Sequence, residues 1–233
     1  MNTFNSSQQI GEIVNKFPKA AEIFKQYKID FCCGGEKLLK NAIEKQNLNE
    51  KEILDKINNM YDELSNSDDK NWVDASLEEL VEQIVNKHHA YLWDELPKIS
   101  KLATTILRVH GEHHPELSKV HKLFHTVKMD LESHLTNEET IQYPAIKRYI
   151  NSKDEADLNK AIKIIDDLKD EHTGAGDILK QLRVVTNDYE IPKDVCETFI
   201  LTYAKLQEME SDIFQHIHLE NNILFPKLES LKK

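Results

Sequence analysis

The chain has 233 residues, and its 41 acidic and 30 basic side chains give a formal net charge of −11. The basic residues form no patch, which argues against nucleic acid as a partner. No window approaches 18 apolar residues, and no basic segment followed by an apolar run opens the chain. We therefore expect no membrane span and a cytoplasmic location, which the odd count of 3 cysteines also fits because it suggests no disulfide framework.

Only 6 glycines and 6 prolines interrupt a sequence dominated by helix formers, which predicts an all-α protein. Residues 1–60 indicate a small domain of short helices, too small to bury much core without the rest of the chain or a second copy. The polar stretch 61–75 is a predicted linker. Ser76 and Glu79 then form a capping box that opens the first long helix of a domain covering 76–233.

The second domain shows the spacing of a helical bundle. In its second long helix the apolar positions advance in steps of three and four residues, at Leu117, Val120, Phe124, Val127 and Leu131. The fourth helix repeats this spacing, and the connections between helices are short. We therefore predict an antiparallel four-helix bundle with a functional site in its core.

A repeated motif occupies the apolar stripe of those two helices. His134 is followed after three residues by Glu138, and His216 by Glu220, and each motif ends in an aromatic residue and proline. Residues four apart lie on the same helical face. Burying an imidazole and a carboxylate at core positions is costly unless something compensates the charge, and a metal ion does so.

A further histidine precedes each copy of the motif at nearly the same distance, His89 by 45 residues and His172 by 44. His88 also touches the apolar face, although the spacing favours His89. Four imidazoles and two carboxylates suit paired iron or manganese ions, whereas structural zinc usually takes four ligands that include cysteine. Two ferric ions would carry more positive charge than two glutamates can neutralise, so we expect an oxo or hydroxo bridge.

Other residues are weaker candidates. Asp130 and Glu171 adjoin His134 and His172, and each is either a partner of the metal site or an ordinary surface carboxylate. Gly174 and Gly176 suggest that a neighbouring helix or small ligand comes close to His172.

The cysteines allow two interpretations. Cys32 and Cys33 precede two glycines and a predicted helix start, where amides and the helix dipole would lower a thiol pKa, or they are buried structural residues. We expect Cys196 to be structural.

The two His-x-x-x-Glu motifs resemble those of hemerythrin-like domains. Their combination with Asp30-Phe-Cys-Cys-Gly-Gly35 resembles the di-iron iron–sulfur cluster repair family over essentially the whole chain. The resemblance implies a non-haem di-iron protein, homodimeric and cytoplasmic, that repairs iron–sulfur clusters damaged by nitric oxide or oxidants, by donating iron. Damaged iron–sulfur proteins would be its partners. The alternatives are a nitric oxide reductase, a carrier or sensor that binds oxygen or nitric oxide, and a zinc-holding bundle.

The resemblance also implies roles for individual residues. His89 lies eight residues before Pro97, as the family's first ligand precedes a proline, which favours it over His88. His110 matches a further family histidine near the site, and Asp130 stands where the family can carry glutamate. The implied ligands are His89 and His134 on one iron and His172 and His216 on the other, with Glu138 and Glu220 bridging.

Overall fold

The computed structural model describes residues 3–64 and 72–232, and every regular element within those ranges is a helix. The all-α prediction is confirmed. The α-helices are α1 (Ile10–Lys16), α2 (Ala20–Gln26), α3 (Leu39–Gln46), α4 (Glu50–Leu64), α5 (Leu77–Gln83), α6 (Ala90–His110), α7 (Glu116–Asn137), α8 (Tyr143–Ser152), α9 (Glu155–Lys163), α10 (Ile165–Val185), α11 (Glu197–Leu219) and α12 (Phe225–Glu229). Three π-helices join them, π1 (Ile84–His89), π2 (Glu138–Gln142) and π3 (Glu220–Leu224).

The chain divides into two compact units, one formed by Met1–Leu80 with Ile217–Lys233 and the other by Val81–His216. In this division the end of the chain joins the N-terminal unit, and the predicted domains 1–60 and 76–233 stay a prediction. The predicted linker 61–75 centres on residues 65–71, which lie outside the described residues, and its first four residues are the end of α4.

The unit Val81–His216 contains a ring of four helices. Helix α7 packs against both α6 and α10, with its predicted apolar stripe from Leu117 to Leu131 buried. Helix α11 completes the ring through ion pairs to both neighbours. Arg183 of α10 forms an ion pair with the buried carboxylate of Glu210 of α11 at 2.7 Å, and Lys205 of α11 forms one with Glu95 of α6 at 3.1 Å.

In the other unit, the end of the chain packs on the N-terminal helices. The π3 residue Asn222 lies over Gly11 and Gly35, where any side chain in place of glycine would meet its amide group. Its Nδ2 donates to the carbonyl of Cys32 at 3.0 Å, while its own carbonyl accepts from Asn15 Nδ2 at 3.0 Å. The small N-terminal region thus gains core from residues 217–233 of the same chain.

Candidate metal centre

Five polar side chains meet in the interior of the four-helix ring. All five are at most 5% exposed, so water cannot solvate their charges. They come from different elements: His89 ends π1, His134 lies on α7, Glu138 begins π2, and His172 and His216 lie on α10 and α11.

Glu138 occupies the middle of this cluster. Its Oε1 lies 3.2 Å from His134 Nε2, and its Oε2 lies 3.2 Å from His89 Nε2. His216 Nε2 is 3.6 Å from the same Oε2. The two oxygens of this one carboxylate therefore face different imidazoles.

The distances between donor atoms fit metal coordination. His134 Nε2 and His172 Nε2 are 3.1 Å apart. With metal–ligand bonds of about 2.0–2.2 Å, two donors on one ion lie about 3 Å apart. Two groups form in this way: His134, Glu138 and His172, and His89, Glu138 and His216. The cluster is therefore a cation-binding site by its donor set and its spacing.

This grouping corrects the expected pairing of the imidazoles. His134 groups with His172 rather than His89, and His216 groups with His89. The reason is that α7 packs against α10, so residues distant in the sequence face each other across that contact. Equal spacing along a chain indicates equivalent positions, but it does not indicate which helices are neighbours.

The electrostatics of Glu138 favour its ionised form. Burial would raise its pKa, but the surrounding imidazoles, His134 foremost, hold the pKa of Glu138 well below its usual range. A buried carboxylate that stays ionised is a strong ligand for a cation.

Two further carboxylates orient the imidazoles from outside the cluster. With Nε2 facing inwards, His134 Nδ1–H donates to Glu171 at 2.6 Å, and His89 Nδ1–H donates to Glu139 at 2.9 Å. Trp93 Nε1–H also donates to Glu139, at 3.1 Å. Such bonds fix the ring orientation and raise the basicity of the ligating nitrogen. The sequence pointed to Glu171 through its position beside His172, but it gave no reason to choose Glu139.

The other predicted residues near the site have different surroundings. His88 is buried, but its Nδ1 pairs with Asp212 at 2.8 Å and it is outside both donor groups. Asp130 is exposed, one turn before His134. His110 ends α6 and contacts Cys196 at 3.0 Å, and the 21 residues of α6 place it about 30 Å along the helix from His89.

Glu220 lies in the other unit, as the first residue of π3. Its side chain is fully buried, and it follows His216 by four residues in the sequence.

The adjacent cysteines also lie in that unit, where Asp30, Cys32 and Cys33 form a third donor group. The expected lowering of the thiol pKa is wrong for Cys32. The adjacent Cys33 thiol and burial raise the pKa of Cys32 well above its ordinary value. The helix predicted to follow the glycines begins at Leu39, four residues after Gly35.

A ring of helices around buried histidines and glutamate defines a class of metal-binding bundle. Residues 80–228 match the family described as hemerythrin HHE cation binding domain, and the chain belongs to this family. Residues 6–61 match the model ScdA_N, described as a domain of unknown function (DUF542). Among the described residues, no helix combines the length and apolar character needed to cross a membrane.

Curated relatives cover nearly the whole chain. The iron-sulfur cluster repair protein ScdA of Staphylococcus haemolyticus is 31% identical, over 94% of this chain and 96% of the relative. A probable iron-sulfur cluster repair protein of Haemophilus influenzae is 31% identical, over 96% and 97%. The iron-sulfur cluster repair protein YtfE of Escherichia coli O157:H7 is 30% identical, over 94% and 96%.

Proposed function

We propose that this chain is a di-iron protein that restores iron–sulfur clusters damaged by nitric oxide or oxidants, and that it does so by donating iron. The observation that carries the proposal is the buried cluster in which Glu138 joins two imidazole pairs. The proposal is also supported by relatives that align over 94% or more of the chain and are named iron-sulfur cluster repair proteins. Damaged iron–sulfur proteins would be the partners, in the cytoplasm, with the chain acting as a homodimer.

The ligand assignment follows the donor groups. His134 and His172 would hold one iron, His89 and His216 the other, and Glu138 would bridge them. We further propose Glu220 as the second bridging carboxylate, because the four-residue spacing puts it on the same helical face as His216.

Release of the iron would begin at His134. Carboxylates hold ferrous iron less tightly than ferric iron, so reduction favours release. Glu171, whose side chain is 46% exposed, links the buried His134 to solvent through their hydrogen bond. This side of the cluster is therefore the proposed exit.

The experiment adds the iron-loaded chain to an enzyme whose iron–sulfur cluster nitric oxide has destroyed, and measures the recovery of enzyme activity. We expect recovery with the unmodified chain and none with Glu138→Ala or Glu220→Ala, each of which also retains less iron. Glu132→Ala is the matched control, because Glu132 lies on α7 and forms a solvent-accessible ion pair with Lys128 at 2.6 Å. Full recovery with an iron-free, folded Glu138→Ala chain would contradict the proposal.

One feature favours a second candidate, a nitric oxide reductase. Two donor groups that share Glu138 would hold their metals close together, as two-metal catalysts do. Gas analysis would then detect nitrous oxide over many turnovers with a reductant. Reversible oxygen or nitric oxide binding without iron release would instead indicate a carrier or sensor.

A further inference from the structure

Cys196 stands immediately before helix α11, far from the metal cluster. Its carbonyl accepts from the amides of Phe199 at 3.0 Å and Ile200 at 3.2 Å, the first hydrogen bonds of that helix. The residue is exposed, which corrects the expectation of a structural cysteine. Its 20-residue separation from His216 corresponds to about 30 Å along the helix.

His110 is held against the sulfur of Cys196. The Nε2–Sγ distance is 3.0 Å. The His110 carbonyl accepts from the amides of His113 at 3.0 Å and His114 at 2.8 Å, so the loop after α6 folds back over it. The His110 ring also packs edge-on against the buried Phe199, with centroids 5.6 Å apart. The imidazole is thus fixed by its own loop and by α11.

The N-terminal end of α11 favours negative charge on the Cys196 sulfur, because the free amides and the helix dipole there stabilise a thiolate. The His110 contact and the amides of Phe199 and Thr198 lower the pKa of Cys196 to about 7. Cys32 differs, since its buried position and neighbours raise its pKa.

We propose that Cys196 and His110 form a reactive cysteine–histidine pair that exchanges with low-molecular-weight disulfides. The Cys196 sulfur attacks one sulfur of the disulfide, a new S–S bond forms to that half, and the old S–S bond breaks. The other half leaves as a thiolate, which carries away the negative charge that the Cys196 sulfur brought. Cys196 is oxidised and the leaving half is reduced, so the electrons balance. This modification site is separate from the proposed iron chemistry, because neither residue belongs to the metal cluster.

The test follows the reduced full chain with two probes, iodoacetamide and glutathione disulfide, and assigns each labelled cysteine by peptide mass spectrometry. We expect Cys196 to react before Cys32, with a rate that rises to half its maximum near pH 7. His110→Asn should move this midpoint up by at least about one pH unit and slow the reaction at pH 7 about threefold or more. His113→Asn, in the same loop, is the matched control and should behave as the unmodified chain.

Three outcomes would overturn the proposal. One is a midpoint near the ordinary thiol value of about 8.5 in the unmodified chain. Another is a His110→Asn chain, folded by circular dichroism, that reacts like the unmodified one. The third is the failure of glutathione disulfide to form a mixed disulfide at Cys196. The first and third use no variant, so they hold even if His110→Asn fails to fold.

Discussion

Glu138 shows how much a single buried carboxylate can organise. Its two oxygens face three imidazoles at 3.2–3.6 Å. An apolar residue in its place would remove the negative charge at the centre of these buried rings. The neighbouring Glu139 lies outside the cluster and accepts a hydrogen bond from Nδ1 of His89. Two adjacent glutamates therefore have separate tasks, one inside the cluster and one outside it.

The outer carboxylates give a prediction at this scale. We expect Glu171→Ala and Glu139→Ala each to weaken metal binding about 10–100-fold, because His134 and His89 lose the hydrogen bonds that orient them. Competition with a chelator of known affinity measures the effect. Asp130→Ala is the control, since this exposed carboxylate lies one turn from His134. An equal loss in Asp130→Ala would show that surface charge, not ring orientation, governs the affinity.

At the residue scale the sequence predicted the members of the cluster better than their arrangement. The repeated motif and the matching upstream histidines pointed to the five side chains that the ring of helices brings together. The pairing of the imidazoles was wrong, because it depends on which helices touch. Glu139 was missed because the sequence distinguishes it from other surface glutamates only by its place beside Glu138.

At the scale of elements, three of the six proposed ligands lie in π-helices. His89 ends π1, Glu138 begins π2 and Glu220 begins π3. The aromatic–proline pairs supply one cause, because Pro144 and Pro226 have no amide to donate to the carbonyl four residues earlier. For Pro226 that carbonyl belongs to Asn222, and Asn15 Nδ2 donates to it instead. Proline recurring six residues after each glutamate was the available sequence signal.

Helix α10 gives a prediction about its glycines. The expectation that Gly174 lets a neighbour approach His172 is wrong, since a methyl group there would meet nothing within 4 Å. We therefore expect Gly174→Ala to raise the free energy of unfolding by about 0.5–1 kcal/mol and to leave iron content unchanged. Urea denaturation and metal analysis measure the two effects.

Gly35→Ala provides the contrast to that substitution. Its added methyl group would collide with the amide of Asn222, so the protein should lose stability. A destabilised Gly174→Ala chain would mean that α10 needs glycine for a reason other than space.

At the scale of the whole molecule, the fold class was predictable from the sequence, whereas the change of compact unit after His216 was not. Few glycines and prolines, together with regular apolar spacing, are enough to predict an all-α bundle. The apolar spacing continues unbroken from Phe199 to Ile223, so it gives no sign that the packing unit changes after His216. That change depends on contacts such as those of Asn222 with Gly11 and Gly35, which a helical period does not encode.

The most direct test of the proposed di-iron centre is the metal content of the purified chain, measured by elemental analysis together with its near-ultraviolet absorption spectrum. We predict two iron ions per chain, absorption bands of bridged ferric iron, and one ion or fewer in Glu138→Ala. A chain that binds only zinc, or one whose iron content is unchanged by loss of Glu138, would contradict the account.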